Sequence, residues 1–398
     1  MPIWRKQRRQ RQKRRRPPHR LQRRRQLRRN RLHTRIKNFL FLATLALCPS
    51  VRAEVPPDAT ARFIAGLPVP GTPLEKLTTE PEWIRHAAAF DREWGRFDEA
   101  QGGKIRDWAA HAFGETFTSE RPVFYMFSGP DFLYANAVFP NAGTYILCGT
   151  EPVGGVPDVE SLPAGVFAPA LANLRRALES SLNWSFFITK HMKTDLQQKQ
   201  LSGTLPVLYV FLARSGCTIE SVTQVKLDVS GNFAAEGSKK TTKGVKIVFQ
   251  GRAGREQTLY YFTTDLADWS MNANPWFLKF CETQGRGVSL LKAASYLMHG
   301  NHFNRVREFL LSQSDLIVED DSGIPFRFLE SDKWSVQCYG RYVGPIGIFK
   351  KFPQPDLTKA YAADTPAPLD YSFGYQWRPS RSSLLVVTPK KTVGVLSQ

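Results

Sequence analysis

Two short apolar runs constrain the fold of this chain most strongly: VFYMF at residues 123–127 and TYILC at residues 144–148. In an extended chain each run is apolar on both faces, which is typical of a strand covered on both sides. A sheet covered on both faces needs helices packed against it. The two runs therefore predict interior strands of a helix-flanked sheet.

Other patterns alternate between helix and strand along the chain. The stripe Trp83, Ala87, Phe90, Trp94 and Phe97 predicts an amphipathic helix, and further helices are predicted at KIRDWAAHAF, over residues 171–186 and over residues 288–314. Strand-like segments are LPVLYVFLA, VTQVKLDV, GVKIVFQG and QTLYYFTT, with a closing hairpin of PFRFLES and KWSVQCYGRYV. This mixture favours an α/β or α+β fold with a central, mostly buried sheet and flanking helices.

The net charge of +20 is concentrated at the beginning of the chain. Residues 1–37 contain 18 Lys or Arg, Arg52 adds one more, and the remainder carries about +1. An apolar run at residues 39–48, too short to span a bilayer, is followed by Val51-Arg52-Ala53, the small-residue pattern of a signal-peptidase site. The pattern predicts export to the periplasm or the medium after cleavage, with no membrane span and no nucleic-acid partner for the mature protein.

These features divide the chain into segments. Residues 1–53 are a basic n-region and signal peptide, with the arginine block as either a long n-region or a start placed too far upstream. Residues 54–80 form an irregular lead-in, 81–365 a globular α/β domain, and 366–398 a weakly patterned tail. The domain is one compact unit or two lobes, 81–200 and 201–365. Cys148, Cys217, Cys281 and Cys338 remain after cleavage, and an oxidising compartment allows three disulfide pairings among them.

Polar residues follow the first buried strand in the loop SGPD, residues 128–131. The carboxyl ends of parallel strands are where open α/β sheets bind ligands. Ser128, Asp131, Asn136 and Asn141 are therefore candidate ligand-binding or catalytic residues, and Glu151 after the second strand is expected at the same cleft. The alternative is that Gly129-Pro130 forms a turn and Asp131 caps it.

Two further groups are candidates. Glu319-Asp320-Asp321 follows a strand-like run, and such adjacent carboxylates raise one another's pKa or hold a cation, although DDSG is also a common solvated turn. Asp265, Trp269 and Asn272 interleave acid, indole and amide, a combination that suits a carbohydrate ring, or else belong to the core. The sequence contains no phosphate-binding glycine loop and no dinucleotide fingerprint. His299 and His302 have an i, i+3 spacing, but no third zinc ligand is identifiable, so neither a cofactor nor a metal is predicted.

The stretches 124–154 and 315–342, which include FYMFSGPDFLYANAVFPNAGTYILCGTEPVG and DLIVEDDSGIPFRFLESDKWSVQCYGRY, resemble a family of uncharacterised secreted bacterial proteins. The resemblance covers about residues 83–361 and implies a bacterial, exported protein, without an activity. Two functions remain in view. The first is a periplasmic or secreted binding or envelope-associated protein for a polar ligand such as a glycan. The second is a secreted hydrolase that uses Asp131 or Glu151 with Asp320 or Asp321.

Overall fold

A nine-stranded sheet lies at the centre of the structure, a computed structural model that describes residues 55–114, 120–187 and 201–390. The basic block and the signal peptide lie outside the described residues. In chain order the strands are β1 (Val123–Tyr125), β2 (Thr144–Gly149), β3 (Thr218–Leu227), β4 (Thr242–Gln250), β5 (Glu256–Thr263), β6 (Gly287–Leu291), β7 (Ser314–Glu319), β8 (Trp334–Gly340) and β9 (Ser383–Pro389).

The strand order defines a doubly wound sheet with antiparallel additions. From edge to edge the order is β3-β4-β5-β2-β1-β6-β7-β9-β8. The strands from β5 to β7 in this order are parallel, while β4 and β9 run in the opposite direction. Without the β3-β4 hairpin and the inserted β9, the strands from edge to edge are β5, β2, β1, β6, β7 and β8. In chain order these six strands are the third, second, first, fourth, fifth and sixth. This order reverses between β1 and β6, which is the position where such sheets bind ligands.

Helices cover both faces of the sheet. In chain order they are α1 (Pro57–Ile64), α2 (Pro81–Phe97), α3 (Gly103–Phe113), α4 (Phe132–Val138), α5 (Ala164–Trp184), α6 (Leu205–Arg214), α7 (Asp268–Ala273), α8 (Trp276–Thr283), α9 (Asn304–Gln313) and α10 (Pro355–Ala363). Short 3-10 helices lie at Glu75–Thr79, Ala293–His299, Phe326–Phe328, Gly347–Phe349 and Pro379–Arg381.

The two apolar cores lie on opposite faces of the sheet. Side chains alternate between faces along a strand. Tyr125 of β1 accordingly packs with α1 to α6 in one core, whereas Phe124 packs with α7 to α10 in the other. In the sheet Phe124 lies between Ile146 of β2 and Ser289 of β6. This alternation explains why the first run is apolar at every position, and the predicted α/β class with a buried central sheet is confirmed.

One predicted strand is a helix. The segment LPVLYVFLA forms most of α6, in which all residues from Leu205 to Ala213 are buried. A short run that is apolar at every position has no period, so a buried strand and a buried helix look alike in sequence. Pro206 in the first turn is the local signal for a helix, because proline is favoured where the N–H has no partner.

The last third of the chain also differs from the prediction. The predicted helix over residues 288–314 is instead the strand β6, the 3-10 helix Ala293–His299 and the helix α9. PFRFLES contains a 3-10 turn, and β8 pairs with β9 from the segment predicted to be a weakly patterned tail. The segment predicted to be an irregular lead-in contains α1, whose Phe63 and Ile64 are fully buried.

Within the described ranges, no helix has both the length and the apolar character needed to cross a membrane.

The insertion of β9 next to β8 can be tested at Gly340. Gly340 has φ +73°, and a Cβ there would lie 2.2 Å from the carbonyl oxygen of Ser382, which immediately precedes β9. Gly344 has φ +90° and no atom within 4 Å of the same position. Both Gly340→Ala and Gly344→Ala introduce backbone strain. We expect Gly340→Ala to lower the free energy of unfolding by about 1–3 kcal/mol more than Gly344→Ala, because only the methyl group added at Gly340 would collide with a neighbouring atom. Urea denaturation of the two variants measures the difference, and equal losses would contradict the placement of β9.

Candidate functional site

A cavity of about 210 Å³ lies at the carboxyl ends of the parallel strands. Its walls come from the segments after β1, β2, β5 and β6, with α5's end and a C-terminal loop closing the remaining sides. The polar side chains in its lining are those of Tyr125, Ser128, Asp131, Thr150, Glu151, Thr264, Asp265, Lys292 and Tyr375. A wider groove of about 860 Å³ shares Thr264 and Asp265 with the cavity. The position is the one that the strand order predicts for a ligand.

A buried ion pair joins the two central strands at this edge. Lys292, directly after β6, places its Nζ 2.8 Å from Oδ2 of Asp131, and each side chain is 2 % exposed. Tyr125, the last residue of β1, donates its hydroxyl to the same carboxylate oxygen at 2.8 Å. The other oxygen of Asp131 accepts the backbone N–H of Tyr134 and caps α4. Asp131 is therefore both a helix cap and one half of an ion pair.

Lys292 has three kinds of partner. Besides the carboxylate of Asp131, its ammonium donates to the carbonyl oxygen of Ser185, just after α5. It also lies 3.9 Å from the ring centroid of Tyr134, a cation–π distance. A buried charge is tolerated only when paired and hydrogen-bonded, and these contacts meet that requirement. Burial and the adjacent Asp131 charge raise the pKa of Tyr125 well above its usual value, so its hydroxyl stays protonated and donates.

The backbone is strained around this ion pair. Among the described non-glycine residues, positive φ occurs at Phe127 (60°), Ser185 (68°) and Ala293 (56°). Phe127 and Ala293 line the cavity after β1 and β6, and Ser185 accepts from Lys292. Each such conformation costs about 1–3 kcal/mol, and strain of this kind concentrates at functional sites. The strain is thus confined to the edge where four strand ends meet.

Glu151 presents a free carboxylate to the cavity. It follows β2, is 6 % exposed, and its carboxylate has no hydrogen bond or ion pair with any described residue. Only its backbone oxygen is engaged, by the hydroxyls of Tyr261 and Thr263, each at 2.9 Å. A Cβ on Gly149 would lie 2.6 Å from Oε2 of Glu151 and 3.0 Å from Cα of Gly129. Glycine at 149 therefore leaves room for the carboxylate beside the loop that follows β1.

Asp265 and Ser128 complete the polar lining. Asp265, after β5, uses one carboxylate oxygen to accept the N–H of Ala267 at 2.9 Å. Ser128 bridges the ends of β1 and β2: its hydroxyl donates to the Gly129 carbonyl at 2.8 Å and accepts the N–H of Cys148 at 3.2 Å. Ser128 thus holds the loop in place, and among the described lining residues three carboxylates face one lysine.

The acidic cluster after β7 lies behind this site. Glu319, Asp320 and Asp321 are all buried and are not part of the cavity lining. Asp320 accepts the N–H of Ser322 at 3.0 Å, Asp321 accepts the hydroxyl of Tyr296, and Glu319 accepts the N–H of Ile324 at 2.7 Å. Burial raises the pKa of Asp320 to about 6, and burial together with the Asp320 charge raises that of Asp321 to about 8.

The other sequence candidates lie elsewhere. Asn136 donates to the hydroxyl of Tyr145 at 3.3 Å, and Asn141 lines a separate small pocket. Trp269 is 70 % exposed and Asn272 is also exposed, and neither lines the cavity. The four cysteines are buried free thiols. Within the described ranges no group of three His, Cys, Asp or Glu has the arrangement of a metal site.

The sequence patterns do not single out Lys292 as a site residue. It lies within the predicted helix over residues 288–314, although it is the only charged side chain in the apolar stretch GVSLLKAASYL, residues 287–297. A single lysine inside such a run is a signal of a paired, buried charge. The sequence gives no indication of the roles of Ser185 and Tyr125. Ser185 acts through its backbone oxygen, and Tyr125 is part of a strand that is apolar at each of its other positions.

Comparisons with protein-family models, curated proteins and solved structures each return no match for this chain. The topology shows a doubly wound α/β sheet with a cavity at the carboxyl ends of its parallel strands.

The coupling between Lys292 and Asp131 can be measured by a double-mutant cycle. We expect Lys292→Met or Asp131→Asn alone to lower the free energy of unfolding by about 3–5 kcal/mol, because each breaks a buried pair and Lys292→Met leaves a carboxylate uncompensated. Asn still caps α4, so loss of the cap does not confound the result. The double variant should lose much less than the sum of the single losses. Strictly additive losses in urea denaturation would show that the charges are independent.

The acidic cluster predicts a pH dependence of stability. A carboxyl whose pKa is raised on folding binds more protons in the folded state, so stability falls as pH rises through that pKa. His86 and His299, whose pKa values burial lowers to about 4, act in the opposite direction but only below about 6.5. We therefore expect the free energy of unfolding to fall between pH 6.5 and 8.5, and to fall less in Asp321→Asn. Denaturation across this range tests the prediction, and an unchanged slope in the variant would contradict it.

Proposed function

We propose that this protein binds a small hydroxylated molecule in the cavity at the carboxyl ends of β1, β2, β5 and β6, with Glu151 accepting hydroxyl hydrogen bonds. The observation that carries the proposal is the carboxylate of Glu151, a residue only 6 % exposed, which lines the cavity and has no hydrogen-bond partner among the described residues. Buried polar groups are nearly always hydrogen-bonded, and each exception calls for an explanation. A ligand with neighbouring hydroxyls would supply the missing donors.

The remaining lining supports a polar ligand with an apolar portion. Side chains of Phe186, Phe187, Leu266, Leu297 and Phe303 form walls between the polar groups. Small-molecule sites combine a mainly apolar lining with a few placed polar groups. A volume of about 210 Å³ is below the usual range of about 300–1,000 Å³ for drug-sized ligands, which favours a ligand the size of a monosaccharide or a nucleoside over an oligosaccharide.

The paired-carboxylate hydrolase has less support. Paired-carboxylate hydrolysis needs both acids at the substrate. Asp320 and Asp321 do not line the cavity, and Asp131 is engaged by Lys292 and Tyr125. Export remains part of the proposal, and its support is the sequence of residues 1–53 alone.

Binding can be tested with Glu151→Gln. The substitution keeps the shape of the side chain and breaks no hydrogen bond with a described residue, so we expect unchanged stability. A hydrogen bond to a charged group contributes about 1.5–3 kcal/mol, and we expect the variant to weaken ligand binding by about that amount. Thermal-shift screening of monosaccharides, cyclitols and nucleosides, followed by calorimetric titration of the hits, measures the effect.

Glu282→Gln is the matched control, because Glu282 is exposed on α8 and does not line the cavity. It should bind every hit like the unmodified protein. If no member of the panel binds, or if the hits bind Glu151→Gln as tightly as the unmodified protein, the proposed function is wrong.

A further inference from the structure

The ligand class can be narrowed from the position of Glu151 in the topology, an inference that rests on the proposed function. In doubly wound sheets with this strand order, the first strand is followed by a glycine-containing turn that approaches the ligand. An acidic residue about 20 residues further on accepts the hydroxyls of a ribose. Here Gly129, with φ +56°, follows β1, and Glu151 comes 22 residues later, after β2. The two also meet in space, because Gly149 places the Glu151 carboxylate next to Gly129.

The same turn is poorly suited to a phosphate. Phosphates in this fold bind the free N–H groups at the start of the helix after β1. In this chain the side chain of Asp131 already accepts one of those N–H groups, from Tyr134, and brings a negative charge to the turn. Pro130 has no N–H to donate. The backbone N–H of Gly129 donates to the Cys148 carbonyl at 3.0 Å, so it is not free either.

The charge of the cavity lining also disfavours a phosphate. Among the described lining residues the carboxylates of Asp131, Glu151 and Asp265 face the single ammonium of Lys292, which Asp131 already neutralises. Inside this cavity a phosphate would meet negative charges on the remaining described lining residues, and like charges in a partly buried cavity repel. A neutral ligand meets no such barrier. A cationic ligand is attracted by the two carboxylates and by the faces of the surrounding aromatic rings.

Asp265 lies where a base would extend from the ribose. It follows β5, the direct neighbour of β2 in the sheet, so its side chain is one strand further out than Glu151 along the same edge. One oxygen of its carboxylate accepts the N–H of Ala267, and the other has no partner within the described part of the chain. The other oxygen can accept from an amino group on a base, and Leu266 beside it offers an apolar wall.

From these observations we infer that the ligand is a nucleoside without phosphate, neutral or positively charged, with its ribose hydroxyls on Glu151 and an amino group of its base on Asp265. Adenosine has the required neutral form.

The test combines changes in the ligand with the substitution Glu151→Gln in the full chain, and calorimetric titration measures the affinity of each combination. The probes are adenosine, 2′,3′-dideoxyadenosine, ATP and a methyl glycoside. For the unmodified protein we expect adenosine to bind about 10-fold or more tightly than the dideoxy compound and about 10-fold or more tightly than ATP. In Glu151→Gln we expect adenosine and the dideoxy compound to bind with similar affinity, because the charged acceptor of the ribose hydroxyls is absent from this variant. Glu282→Gln should reproduce the unmodified protein.

The outcomes separate the inference from the function on which it rests. If the methyl glycoside binds in a Glu151-dependent way and adenosine does not, hydroxyl binding stands and the nucleoside assignment is overturned. If ATP binds as tightly as adenosine, the exclusion of phosphate is overturned. If the dideoxy compound loses equal affinity in both proteins, the ribose does not bind Glu151. If none of the probes binds, the nucleoside inference fails, and the wider screen decides the proposed function.

Discussion

The ion pair between Lys292 and Asp131 is the interaction on which the rest of the site depends. Taking two charges out of water costs several kcal/mol for each ion, so the pair is stable only with further hydrogen bonds. Those bonds come from Tyr125 at the end of β1 and from the carbonyl oxygen after α5. One buried pair thereby fixes β1, α4, α5 and β6 relative to one another, and the cavity wall is rigid where those elements meet.

The carboxylates around this edge divide into two kinds. Asp131 is fully engaged and serves the architecture, whereas Glu151 lies two strands from Lys292 and keeps its acceptor capacity. Phe127 and Ala293, both at positive φ, lie in the loops after β1 and β6 that line the same cavity. Different residues therefore stabilise the structure and bind the ligand. We expect substitutions of Asp131 to change the free energy of unfolding and substitutions of Glu151 to change the affinity for the ligand.

Much of this edge could be predicted from the sequence, because residues that follow parallel strands must lie together. That rule brought Ser128, Asp131 and Glu151 to one cleft, and the structure places them around one cavity. It could not supply Lys292, because β6 is a short apolar run inside a longer helical pattern. The same lack of period concealed α6. The position of β9 depends on pairing across more than forty residues, which no local pattern records.

The inserted strand β9 also sets the order in which the sheet can form. β7 and β8 are not neighbours, and each pairs with β9, which is the last strand among the described residues. Pairing over such long sequence separations is slow, because loop-closure entropy is lost before the contacts form. Until residues 383–389 are available, β7 keeps an unpaired edge beside the acidic cluster. The two strands β7 and β8 can therefore join one continuous sheet only after residues 383–389 have been synthesised.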